Sequence, residues 1–360
     1  MSPLMKRVEE AGHAGVERKR NPFNISPEEF FGETETLRGE FAKLINASDP
    51  KRVVTIPSVS YGMANVAKNL PLSQGDNIIV VGEQFPSNVY PWMKAADNNN
   101  AEIITITPPD TKKDRGKTWN QLILEAINAN TKLVAVANVH WADGTLFDLK
   151  KIRERTHEVG ARLAIDGTQS VGALPFDVEE IKPDALICAG YKWLMGPYSI
   201  GMAYYGPALD GGEPVEENWI NRYESEDFSN LVNYNDQYQP GALRYEVGEH
   251  SNFILVPMLL EAVRQLNEWG PANIQQYCKD LTSTGIENLK FAGYWVEDEA
   301  YRGSHLFGIR LGDHHDLEGI KETLNRENIL VSFRGDSIRV SPNVYNTQEE
   351  FDKLIRVLCA

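Results

Sequence analysis

Cysteine is scarce. The chain has three in 360 residues, Cys188, Cys278 and Cys359, far apart and odd in number. That excludes a disulfide framework, and without a CxxC or Cys/His spacing no metal site is expected. Free thiols predict a reducing compartment, the cytoplasm. Positive charge is also short: 36 Lys and Arg stand against 51 Asp and Glu, a net charge of −15. Such a surface repels phosphate backbones, which excludes nucleic acid as the main partner. The short basic patch "VERKRNP" reads as a solvated helix end or loop. No apolar run approaches the ~18 residues of a membrane span, and the charged first thirty residues contain no apolar signal segment. Repeats and low-complexity tracts are missing as well; "DNNN" (Asp97 to Asn100) reads as a turn.

Apolar residues, by contrast, make up 42% of the chain, ample for a large core. Short β-branched runs alternate with helical patterns through the central two-thirds. "RVVTIPS", "DNIIVVGE", "AEIITITP", "TKLVAVANV", "ARLAIDG" and "DALICAG" are separated by amphipathic stretches such as "YGMANVAKNL" and "DLKKIRERTHEVG". This spacing predicts βαβ units and a mostly parallel sheet. Several runs are apolar throughout, as expected for strands covered on both faces. After Ser251 the pattern changes to a long amphipathic segment, "FILVPMLLEAVRQLNEWG", then helices and the short strands "HLFGIRL", "ILVSFR" and "SIRVSP". The last helix opens on a capping box, Thr347 with Glu350. The predicted division is an N-terminal segment (1–20) packed with the small domain, a large domain (21–250) and a small α+β domain (251–360).

Four features fall at or just beyond the carboxyl ends of predicted strands, where open α/β sheets bind ligands. In "IPSVSYGMAN", Ser58 to Ser60 precede a helix near Tyr61 and offer hydroxyls and free N–H groups, either as an anion cup or as ordinary caps. In "LAIDGTQSVG", Asp166 closes an apolar strand; a carboxylate there needs a cation or strong donors, or makes an Asx-turn. In "ICAGYKWLMGP", Lys192 follows an apolar run. An amine in such a setting loses proton affinity and becomes nucleophilic, unless it snorkels to water. In "EQFPSNVYPW", Phe85 could cover a planar ligand or fill core. Together, an anion cup, a carboxylate, an amine and a flat ring match the needs of pyridoxal phosphate.

On the ordered pair "AIDGTQSVGALPFDV" and "ALICAGYKWLMGPYSIG", with Arg339 in "SIRVSPNVYNTQEEFDKLI", the chain resembles the class V aminotransferase branch of the fold-type I pyridoxal-phosphate enzymes. That group includes cysteine desulfurases, kynureninases and isopenicillin-N-epimerase-like proteins, and the resemblance runs from about Asn21 onward. It implies a mostly parallel central sheet with helices on both faces, plus a small α+β C-terminal domain. Lys192 would carry the cofactor as a Schiff base, Asp166 would pair with the ring nitrogen, and Gln169 would bond the phenolic oxygen. Phe85 would stack on the ring. Ser58, Val59, Ser60 and Tyr191 would hold the phosphate. His140, Trp141 and Asp143 would line the ring's oxygen side, and Arg339 would grip a substrate carboxylate. Arg244, Glu249 and His250 match a segment that in relatives completes the phosphate site across a homodimer interface.

Two departures stand out. No cysteine precedes Arg339 in "VSFRGDSIRV", which disfavours a persulfide-carrying desulfurase. The chain opens on "MSPLMKRVEEAG", which looks like the helix after the substrate-covering segment of relatives. The expectation is an enzyme acting on an amino acid or related primary amine, an aminotransferase first. A β-lyase or epimerase without a catalytic cysteine comes second, and a binding protein without turnover third.

Overall fold

The computed structural model describes residues 1–312, 314–335 and 337–359. In chain order the elements begin with helices α1 (Lys6–Arg20) and α2 (Gly32–Leu44). There follow β1 (Val53–Ile56), α3 (Val59–Lys68), β2 (Asn77–Val81), α4 (Tyr90–Asn99), β3 (Glu102–Ile106), α5 (Arg115–Ala126) and β4 (Thr131–Ala137). Then come α6 (Leu149–Val159), β5 (Arg162–Asp166), α7 (Val178–Ile181), β6 (Ala185–Ala189) and β7 (Gly201–Tyr205). The C-terminal part holds α8 (Leu255–Trp269), α9 (Pro271–Phe291), β8 (Trp295–Val296), β9 (Phe307–Arg310), α10 (Leu317–Arg326), β10 (Ser332–Arg334), β11 (Ser337–Val340) and α11 (Gln348–Leu358).

The large sheet has the order β1-β7-β6-β5-β4-β2-β3. Pairings from β3 through β6 are parallel, and β7 runs antiparallel to both β6 and β1. Alternation sends successive side chains to opposite faces. Ile79 and Val81 enter one core with Val134, Val136, Leu163 and Ile165, whereas Ile78 and Val80 enter a second with Leu133, Ala135 and Ala164. Both faces are therefore covered, and the inner strands β2 and β6 are buried along their whole length. The edge strand β3 is exposed or half-buried at every position. The four-stranded antiparallel sheet β10-β11-β9-β8 has its own core with α9 and α11, built on Phe307, Ile309, Ile338 and Phe351.

Several boundaries differ from the sequence expectation for local reasons. α3 starts two residues early because Ser58 Oγ accepts the Tyr61 N–H at 3.2 Å and caps it. "DNNN" is the last turn of α4, ended by Asn100 in the left-handed region (φ 51°). The long segment after Ser251 is broken by Gly270 (φ 76°) and Pro271 into α8 and α9. The buried face of α8 (Val256, Leu259, Val263, Leu266) joins the core of the large sheet, and α1 lies across it through Val8 on Met258 and Ala262. β7 was not anticipated. Because it is antiparallel, its amino end brings Tyr198 to Ile200 to the edge where the parallel strands finish.

Candidate active site

A cleft of about 260 Å³ opens at that edge. Its walls are the loops after β1 (Pro57 to Ser60), β2 (Gln84, Phe85), β4 (Trp141), β5 (Asp166 to Gln169) and β6 (Tyr191, Lys192). Of the expected residues, Ser58, Val59, Ser60, Phe85, Trp141, Asp166, Gln169, Tyr191 and Lys192 all line it.

Ser58 and Ser60 present their hydroxyls 2.9 Å apart at the start of α3, exposed to solvent. The ten-residue helix leaves its first N–H groups beside them, so the bland reading (a cap) and the functional one (an anion cup) describe the same atoms. Asp166 is 7% exposed, and its Oδ1 accepts the Thr168 N–H at 2.9 Å, the Asx-turn weighed above. Burial raises its affinity for a proton; the Thr168 donors and the nearby Lys192 charge oppose this only in part. The carboxylate therefore has room for one more cationic partner. Thr168 Oγ1 also accepts the Ala189 N–H at 3.1 Å, which ties the β5 loop to the end of β6.

Lys192 is half-buried, and its Nζ lies 5.2 Å from the Phe85 ring centroid and 5.9 Å from that of Tyr191. It has no ion pair or hydrogen bond among the described residues. Burial depresses its pKa, Asp166 opposes, and Arg339 and Arg334 add to the depression. An amine so placed is more often neutral than an ordinary lysine, as a nucleophile requires. Gln169 is oriented by Trp193, whose indole N–H donates to Gln169 Oε1 at 3.1 Å. That bond fixes the amide oxygen inward and leaves its NH₂ for the cleft. Gly172 (φ 102°) makes the approach possible, since a Cβ there would meet the Trp193 carbonyl at 2.3 Å.

Behind this loop sits a group that sequence reading missed. His305 is fully buried, and its Nε2–H donates to the Gln169 carbonyl at 2.7 Å while Gln275 donates to its Nδ1 at 2.8 Å. Both ring nitrogens are satisfied in the neutral form, and burial holds the pKa down at about 4. Gln84, Ser87, Thr168, Tyr198 and Ser199 also line the cleft without having been singled out. Thr168 could have been found inside "IDGTQ"; the others carried no distinguishing signal.

Five expected residues lie elsewhere. His140 and Asp143 do not line the cleft. Asp143 is 5% exposed and receives Arg115 at 2.8 Å, Arg310 at 3.1 Å and the Thr145 N–H and hydroxyl at 3.1 and 2.9 Å. Burial penalises this carboxylate, but His140, Arg115 and Thr145 outweigh it and hold the group well below the ordinary carboxylate range. His140 sits 3.2 Å from Asp143, edge-on to Trp119. His250, an expected interface residue, is 4% exposed and lies edge-on to Phe31 within its own chain. Arg244 donates to the Gly241 and Gly212 carbonyls, and Glu249 is exposed; neither lines the cleft. The segment is instead anchored by Glu246, which pairs with Arg38 at 2.5 Å and accepts the Thr55 N–H at 2.9 Å.

Arg339 stands where a second, smaller cleft of about 70 Å³ shares Gln169 and Lys192 with the first. Its Nη1 donates to the Trp141 carbonyl at 2.7 Å. None of the three cysteines lines either cleft: Cys188 and Cys278 are buried, and Cys359 is exposed beyond α11. Among the described residues no helix is long and apolar enough to cross a membrane.

Known proteins with similar sequences and folds place this geometry. The chain is 27% identical over 328 residues to an uncharacterized aminotransferase of Bacillus subtilis, covering 91% of this chain and 83% of that protein. It is also 27% identical to a probable cysteine desulfurase of Mycolicibacterium paratuberculosis over 90% of this chain, which spans about half (48%) of that longer relative. A solved cystine C–S lyase in complex with its product cysteine persulfide superposes with a TM-score of 0.84, covering 99% of this chain and 94% of that one at 19% identity, a likeness of fold. The family described as aminotransferase class-V matches residues 24–354. The chain belongs to the class-V aminotransferase family.

Proposed function

We propose that the chain is a pyridoxal-phosphate enzyme that acts on the α-amino group of an amino acid, with transamination as its reaction. The observation that carries this reading is the convergence of Ser58 and Ser60, Phe85, Asp166 and Lys192 on one cleft. The fit is chemical as well as spatial: an open anion cup, a buried carboxylate one cation short, an amine without a partner and a ring face fill the same space. Pyridoxal phosphate, when bound, supplies an electron sink for the substrate's α-carbon.

This chain's residues divide the remaining work. The α3 N-terminus with Ser58 and Ser60 would hold the phosphate. Asp166 would keep a proton on the ring nitrogen, which its buried carboxylate stabilises by charge. The Gln169 NH₂, oriented by Trp193, would donate to the ring's phenolic oxygen. Lys192 would tether the cofactor and then, as a free amine, take the proton from the substrate's α-carbon. Arg339 would bind the α-carboxylate through its guanidinium fork.

A β-lyase is the second reading, favoured by relatives named cysteine desulfurase and by a cystine C–S lyase of like fold. The absence of a cysteine from both clefts speaks against a version that passes sulfur to the enzyme. A homodimer belongs to the same proposal, supported by the solvent-open Ser58–Ser60 cup and by the exposed Val232 (80%) and Tyr234 (98%). So does a cytoplasmic location, supported by three cysteines without a disulfide.

The test is to incubate the holoenzyme with a panel of amino acids while following absorbance and products. Transamination predicts loss of the yellow colour and one keto acid per site, without ammonia. Catalytic pyruvate with ammonia would replace transamination by β-elimination, and exchange of the α-hydrogen alone by epimerisation. No spectral change with any amino acid would refute the enzyme reading.

A further inference from the structure

The hairpin of β10 and β11 carries a second arginine toward the same site. Its register pairs Ser332 with Arg339 and Arg334 with Ser337. Residues two apart on a strand, and residues opposite each other across a pair, share a face. Ser332, Arg334, Ser337 and Arg339 therefore occupy one face of the hairpin. Arg334 lies with its guanidinium 5.2 Å from the centroid of the Trp141 ring, the same residue whose carbonyl takes Arg339 Nη1. Trp141 in turn sits edge-on to Phe85 at 5.6 Å, and Phe85 is the ring under Lys192. These contacts form one continuous chain from the lysine to both arginines.

The charges do not balance. Lys192 lines both joined clefts and Arg339 the second, while Arg334 stands against Trp141 in the wall of the first, and both arginines are felt by the lysine. Asp166 is the one acidic residue among the described residues lining them. Neither Arg334 nor Arg339 has an ion-pair partner among the described residues, although the chain carries 51 acidic residues against 36 basic ones. Both arginines keep a buried Nε without a hydrogen-bond partner, and so does the Ser337 hydroxyl between them. Desolvated cations without counter-charge are costly, and such sites are completed by an anion. One carboxylate answers only one of the two guanidinium groups.

We infer that Arg334 is a second anion-binding residue, and that the substrate is an amino acid whose side chain ends in a carboxylate. Arg339 takes the α-carboxylate and Arg334 the distal one. The pairing with Trp141 holds the Arg334 plane in place, and its buried Nε lacks a partner within the described residues. This inference rests on the cleft being an amino-acid site, as proposed above.

Affinities read from the cofactor's absorbance separate the possibilities. L-aspartate and L-glutamate should bind the holoenzyme at least tenfold more tightly than the isosteric L-asparagine and L-glutamine. In Arg334→Gln the acid-to-amide ratio should fall to about 1, and in Arg334→Lys it should keep part of its value. Calorimetric titration with succinate and with its monoamide succinamate repeats the comparison without turnover. Tighter succinate binding that is lost in Arg334→Gln would support the two-anion site even if no amino acid reacted, the outcome that would refute the proposed function alone. Equal affinities for acid and amide in the native protein, or a preference that survives in Arg334→Gln, would overturn the inference.

Discussion

Asp166 and Asp143 are both buried aspartates, one ending β5 and one in the loop after β4 of the same sheet, and both were expected beside the cofactor. Asp143 is saturated: two arginines, a histidine, a hydroxyl and an N–H surround it. Asp166 has one backbone N–H and an electrostatic neighbour in Lys192. The first is pulled below the ordinary carboxylate range and the second is pushed above it. A carboxylate whose partners lie within the chain pins β9 and α5 to the β4 loop. One left short of partners is available to a ligand. Incomplete satisfaction, rather than burial or charge, marks the functional residue.

The largest effect that separates the two regions is on turnover. Asp166→Asn should lower kcat roughly 10³-fold, the scale lost when a charge aimed at a reacting centre is removed, while the thermal midpoint changes little. Asp143→Asn should do the reverse. It removes the buried charge that Arg115 and Arg310 face and should cost about 3 kcal/mol of stability in urea unfolding, with a smaller change in kcat. If Asp143→Asn abolished turnover at full stability, the division between the two aspartates would be wrong.

The pH dependence of stability gives a smaller but signed contrast in the cofactor-free protein. Asp143, with a depressed folded pKa, contributes stability above the unfolded value of about 3.9, lost as pH falls through it toward the folded one. Asp166, with a raised folded pKa, costs stability as pH rises above that same unfolded value. At neutral pH, Asp143→Asn should therefore be less stable than the native protein and Asp166→Asn equal or more stable. The Asp166 difference should shrink on acidification to about pH 4, whereas the Asp143 difference should persist there and shrink only at lower pH. Differences of the same sign would sink the contrast. His305 adds to the acid sensitivity of the native protein: its folded pKa of about 4 lies below the ordinary value, so its contribution is present above about 6.5 and falls away below.

Asp166 and Lys192 were legible in the sequence because each follows a continuous apolar strand, where charge is expensive and so conspicuous. The parallel sheet was legible for the same reason, as runs too apolar to be half-exposed. Asp143 was placed by resemblance alone. Its partners Arg115 and Arg310 arrive from α5 and β9, and nothing local in "HWADG" reports that they are there. Arg334 was hidden likewise, since only the β10–β11 register turns "SFRGDSIRV" into two arginines on one face. β7 escaped because it follows β6 through a turn-rich loop without a helix, breaking the alternation on which the strand reading relied. His305 and Gln275 hold the Gln169 loop from more than 100 residues away, and no local pattern in the chain reports such a contact.

The most direct test of the central claim is borohydride reduction of the yellow holoenzyme, followed by proteolysis and mass spectrometry. The account predicts one phosphopyridoxyl group per chain, fixed to Lys192, and none in Lys192→Ala. A group found on another lysine, or an undiminished yield in Lys192→Ala, would contradict it.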